Sequence, residues 1–156
     1  MKHLKIICLL LALLLLVACG GGTAPTIVAV GQTVTLYSVQ ATVTGVGTLY
    51  YDAPPDGQPA EIAVHVKLVN AGTSEIVYSP FMFHLKSGAG TITGHQLLPP
   101  LAYQSNNVLG SGHLVPPGTV EGDLIFQITM GDHQATVTWQ PTATDSDSAN
   151  GWILGL

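Results

Sequence analysis

Glu61-Ile62-Ala63-Val64-His65-Val66-Lys67-Leu68-Val69-Asn70 decides the fold class. Ile62, Val64, Val66 and Leu68 fall on one side of an extended chain, and Ala63, His65, Lys67 and Val69 on the other, because successive side chains of a β-strand alternate. One face is core and the other is wetter, as in a half-buried antiparallel strand. The same period sets Phe81, Phe83 and Leu85 against Met82, His84 and Lys86, and Leu124, Phe126 and Ile128 against Asp123, Ile125 and Gln127. Further strands are expected at 33–39, 41–51, 91–98 and 133–139, and another within 108–115. Between them stand turn signals: Pro54-Pro55-Asp56-Gly57, Asn70-Ala71-Gly72, Gly88-Ala89-Gly90 and Pro116-Pro117-Gly118. Seven to eight short strands so punctuated predict an all-β protein, an immunoglobulin-like antiparallel β-sandwich.

Toward the N-terminus the pattern changes. Met1-Lys2-His3-Leu4-Lys5 is a basic start, and the apolar run from Ile6 to Val17 is shorter than the roughly 20 residues a permanent span needs. Residues 1–18 read as a secretion signal. It ends in Leu16-Val17-Ala18-Cys19, which resembles the lipobox of bacterial lipoproteins. By that resemblance Cys19 takes a thioether-linked diacylglycerol and becomes the first residue of the mature protein, whereas Cys8 is discarded with the leader. Gly20-Gly21-Gly22-Thr23-Ala24-Pro25-Thr26 follows as a tether, spanning on the order of 15 Å as a coil and roughly 24 Å at full stretch. The expected organisation is a leader over 1–18, the lipidated cysteine and tether over 19–26, the sandwich over 27–140 and a polar tail over 141–156. The tail closes on the apolar Gly151-Trp152-Ile153-Leu154-Gly155-Leu156, expected to add an edge strand or pack in a groove.

Composition agrees with an exported body. Only 8% of the 156 residues are charged and none is Arg, against about 25% charged in an average domain. With Lys2 and Lys5 in the leader, Lys67 and Lys86 face all nine acids, so a nucleic-acid backbone would be repelled. With Cys8 gone, Cys19 has no partner for an intrachain disulfide.

The order of the strands and turns resembles a widespread immunoglobulin-like domain of unknown function found in bacterial lipoproteins and secreted proteins, akin to the mycobacterial secreted immunoprotective antigen. The resemblance rests on Ile62 to Gly72, on Phe83-His84-Leu85, and on Pro117-Gly118-Thr119-Val120-Glu121-Gly122-Asp123-Leu124-Ile125-Phe126. It covers about residues 31 to 139 and implies fold and location. The family often places an acidic residue and glycine after Phe-x-Leu; here Gly88-Ala89-Gly90 stands instead.

Catalytic signatures are absent from the sequence. There is no Gly-x-Ser-x-Gly, no Cys-x-x-Cys, no phosphate-binding Gly-Lys loop and no His-Glu-x-x-His. Ser111 lies between Gly110 and Gly112 beside His113 and reads as a turn; Asp52, Asp56, Asp145 and Asp147 fall in expected loops or the tail. The long connection from Pro99 to Pro117 offers a candidate ligand surface at Tyr103, Asn106 and Asn107. The expectation is a non-enzymatic module, anchored to the membrane through Cys19 on the outside of the cytoplasm, that binds a protein or other partner and no nucleic acid. The alternative is a copper or other metal carrier using His84, His95, His113, His133 and Met82, since thioether and imidazole suit Cu(I); the paired His-x-Met spacing of exported copper chaperones is not repeated.

Overall fold

The alternating stretch is the pivot of the fold. In a computed structural model, which describes residues 26–49, 55–96, 107–142 and 150–156, it begins two residues earlier and forms the longest strand. Eleven strands occur among the described residues: β1 (Ile27–Ala29), β2 (Thr33–Leu36), β3 (Val39–Thr48), β4 (Pro59–Asn70), β5 (Ile76–Tyr78), β6 (Phe83–Lys86), β7 (Ile92–Gly94), β8 (Gly112–Leu114), β9 (Thr119–Thr129), β10 (Thr136–Trp139) and β11 (Asn150–Ile153). They make one sheet in the order β2-β3-β4-β9, a second in the order β1-β11-β10-β6-β7, and a small β5-β8 pair. The all-β sandwich read from the sequence is the structure found, with more strands than the seven to eight expected.

Ile62, Val64, Val66 and Leu68 lie at 0–1% exposure, and Leu124 and Phe126 at 0%. They meet Phe83, Leu85, Val137, Trp139 and Trp152 of the opposing sheet in one core. Each such side chain contributes about 1.5–3 kcal/mol when withdrawn from water. Phe83 and Trp139 are register partners and stack with centroids 6.3 Å apart. The Trp152 indole N–H, inside the core, donates to the Gln32 carbonyl at 2.8 Å.

Several expectations need correction. The strand expected over 33–39 ends at Leu36, because Tyr37 and Ser38 both take positive φ, 48° and 66°, and form the two-residue link to β3 that suits the twist of a hairpin. Phe81 is not on the strand with Phe83: Ser79 caps a 3₁₀ turn over Pro80–Met82, and Phe81 is 55% exposed. Ile125, expected on the wetter face of β9, is at 0% exposure. Its backbone is bonded to the 95–96 segment, which covers that flank. The apolar C-terminal residues are no appendage. β11 lies between β10, antiparallel, and β1, parallel, so β1 takes the edge and the sandwich extends past residue 140.

The registers define two ends. At the entry end, where the chain arrives at Thr26, lie the starts of β1, β3, β6, β9 and β11 and the finishes of β2, β4 and β10. Asn70, 1% exposed, organises this end: its side-chain amide donates to the carbonyls of Ser74 and Leu114 at 2.8 and 2.7 Å and its oxygen accepts from Gly72. The far end carries the β6–β7 turn and the β9–β10 connection.

Candidate functional site

His65 and Lys67 sit on the outer face of β4, and Glu121 and Asp123 on the neighbouring β9. The antiparallel register pairs His65 with Asp123 and Lys67 with Glu121. The His65 Nδ1 stands 2.7 Å from an oxygen of Asp123, which is only 8% exposed, and the Lys67 Nζ stands 3.0 Å from Glu121. The second Glu121 oxygen lies 3.8 Å from His65 Nε2, which joins the pairs into one ladder. The Lys67 ammonium, by hydrogen bond and by charge, holds the Glu121 carboxyl below its ordinary value, with His65 adding to the effect. Thr44, at the bulge of β3, donates its hydroxyl to the His65 carbonyl at 3.4 Å.

One root of the expected ligand-binding connection reaches this ladder. The Asp123 N–H donates to the Asn107 carbonyl at 2.7 Å, and the Leu109 N–H donates back to the Asp123 carbonyl at 3.0 Å, so 107–109 runs along the free edge of β9. Gly122 is required there: a Cβ on it would come within 2.8 Å of the Leu109 backbone. The other root is pinned two residues on. The Gln96 N–H donates to the Ile125 carbonyl at 2.9 Å, and the Ile125 N–H donates to the His95 Nδ1 at 3.1 Å. His95 is packed edge-on against Phe81 and the buried Phe126. Burial lowers its pKa from 6.5, and an Nδ1 that accepts an N–H must be unprotonated. Tyr103 and Asn106, like Cys19, lie outside the described residues.

The other histidines are dispersed. His113 Nδ1 is 2.8 Å from Glu75 across the exposed β8–β5 pair. His84 is half-buried on β6, opposite Thr138 of β10, and His133 is exposed in the far-end connection. Met82 lines a cavity at the entry end, and Met130 lines a different one at the far end. Among the described residues no three His, Cys, Asp or Glu side chains group to hold a metal ion. The Ser111 hydroxyl donates to that of Ser79 at 3.0 Å.

Two cavities open between the sheets. At the far end a cleft of about 850 Å³ lies between the β6–β7 turn and the end of β9, walled by Leu85, Thr93, Gln127, Ile128, Met130 and Asp132. Asp132 shapes it: both carboxylate oxygens accept from the Gly88 N–H, at 3.1 and 2.8 Å, and one also accepts from Gln134. The buried Thr93 hydroxyl has no partner among the described residues. At the entry end a smaller, mostly apolar cavity of about 280 Å³ is walled by Tyr37, Leu68, Val77, Tyr78, Met82 and Trp139. The Trp139 indole N–H is buried there without a partner among the described residues.

Sequence reasoning assigned His65 and Lys67 to wet surface and missed the ladder. Its signal is present in retrospect, His-x-Lys in one strand against Glu-x-Asp in another, opposite charges at equal spacing.

A family model described as "Domain of unknown function (DUF4352)" matches residues 28–149, and the chain belongs to that family. No curated protein matches it. The yjhA protein of Bacillus subtilis is similar in structure, with a TM-score of 0.61 and 17% identity over 82% of this chain and 99% of that one. So is a "putative lipoprotein (ycdA)" of Bacillus subtilis subsp. subtilis str. 168, with a TM-score of 0.60 and 19% identity over 79% of this chain but 38% of that one. At these identities the likeness shows the fold.

Proposed function

We propose that this member of the family is a lipid-anchored module of the cell envelope, held through Cys19 on the outer side of the cytoplasmic membrane, that binds a partner without catalysing a reaction. The observation that carries the reading is Leu16-Val17-Ala18-Cys19 closing a short apolar leader, with the first strand beginning at Ile27. A diacylglyceryl cysteine supplies two acyl chains, enough for stable attachment at about 0.8 kcal/mol per buried CH₂. The description of ycdA as a "putative lipoprotein" is in keeping with that address. So is a finer kinship with the mycobacterial secreted antigen, which rests on the strand and turn motifs alone.

Binding is supported by the far-end cleft, whose volume of about 850 Å³ falls among those of small-ligand sites, and whose walls mix apolar side chains such as Leu85, Ile128 and Met130 with polar ones such as Thr93, Gln127 and Asp132. Against catalysis stands the dispersal of the titratable groups. The His65–Asp123 pair lies on an outer sheet face with Glu121 against the other ring nitrogen, and His113 and Glu75 occupy a different surface. Labelling producing cells with palmitate tests the anchor: the parent chain takes up label and Cys19→Ala does not, whereas label on the variant would contradict the assignment. Titration with Cu(I) and Cu(II) tests the rival carrier function, which stoichiometric uptake would establish.

A further inference from the structure

Large apolar side chains on the surface are not spread evenly. Ile27, Tyr37, Val77, Phe81 and Val115 are 48–68% exposed. Ile27 opens β1 and Tyr37 is in the β2–β3 link, both at the entry end by register; Val77 walls the cavity there, Val115 accepts from Gly118, which itself accepts from Asn70, and Phe81, in the turn before β6, lies farther in, against His95. Only Ile92 and Ile153 are comparable at the far end among the described residues. Tyr37 and Val77 also stand at the wall of the apolar cavity closed by Trp139.

Charge at this end is sparse and paired. Among the described residues near this end the charged side chains are Glu75, faced at 2.8 Å by His113, and Lys67 and Glu121, paired at 3.0 Å three and two residues in from the ends of their strands. Asp56, Lys86 and Asp132 stand at the far end, with Glu61 near it. Aromatic and aliphatic side chains with little charge among them are the chemistry that settles at a lipid interface.

The chain itself says what this surface faces. The Thr26 N–H donates to the Asn150 side chain at 2.9 Å, and the Thr26 carbonyl accepts from Gly151. The polypeptide thus arrives at the entry end, and the residues between Cys19 and this point reach roughly 24 Å at most. We infer that the entry end of the sandwich rests on the lipid bilayer, with Tyr37, Val77 and Val115 entering the headgroup region as a second, non-covalent contact. This rests on attachment of lipid at Cys19. It directs the far-end cleft away from the membrane, toward partners.

The test uses the lipidated chain purified from producing cells and reconstituted in phosphatidylcholine vesicles, carrying a nitroxide at Val77→Cys or at Ile153→Cys. Both positions are exposed, so folding is not at issue, and a lipidated Cys19 takes no label. In vesicles, collision of the residue-77 label with a water-soluble nickel reagent falls at least roughly threefold below its value in the soluble state, while that at residue 153 is unchanged, as interfacial burial requires. Equal accessibility at both sites in protein that floats with the vesicles would overturn the proposal. Protein that fails to float and is labelled at Cys19 would instead overturn the anchor, and the seated orientation with it. Adding Tyr37→Ser and Val115→Ser restores collision at residue 77; no change on their addition would also count against it.

Discussion

The entry end and the far end of this sandwich are built from the same two sheets, yet they are finished differently. At the entry end the buried Asn70 ties three segments together, the β5–β8 pair covers the opening, and the cavity left is about 280 Å³ and mostly apolar. At the far end the sheets diverge around about 850 Å³, and a single carboxylate, Asp132, holds the β6–β7 turn across the gap. In the proposed reading the contrast separates two tasks on one core: a closed end set against a membrane, and an open end turned to solution.

The largest expected effect lies at the closed end. Trp139→Ala removes the ring stacked on Phe83 and merges its space with the cavity, and should destabilise the fold by about 3–5 kcal/mol; urea unfolding measures it, and a loss below about 1 kcal/mol would mean that this end is not sealed by packing. A smaller effect is expected at the open end. Asp132→Ala frees the Gly88 N–H at an exposed site and should cost about 1–2 kcal/mol, with faster hydrogen exchange confined to the residues around Gly88. Exchange spreading to the entry end would show the two ends to be coupled.

The smallest effect concerns the segment pinned between them. Burial lowers the pKa of His95 from 6.5, so the unfolded chain takes up a proton on that ring at higher pH than the folded one does. Its contribution to stability is therefore present above pH 6.5 and is lost as pH falls from there through the lowered folded-state value. His95→Gln, whose side-chain oxygen can still accept from Ile125, should weaken the loss of stability between about pH 7.5 and pH 5. An unchanged pH slope would contradict the geometry around Ile125.

The parts of the fold legible in the sequence are those where one physical signal acts alone. Glu61 to Asn70 alternates without interruption because both of its neighbours, β3 and β9, share its pleat and only one face meets the core. Ile125 broke the pattern where a non-local segment is bonded along the free edge of β9, and an alternation rule reads only the chain's own period. Tyr37 and Ser38 were illegible as a turn because neither is the glycine or asparagine that usually marks positive φ. Trp152 reads as part of a tail until its partners, Val137 on one side and Val28 on the other, are known. The His65–Asp123 ladder was hidden for a related reason: strand register sets it, and register depends on contacts some 58 residues apart in the chain.

Mass spectrometry of the N-terminal peptide from membrane-bound protein tests the central claim most directly. The account predicts that Cys19 is the first residue and carries a diacylglyceryl group. An unmodified terminus on protein free in the culture fluid would contradict it.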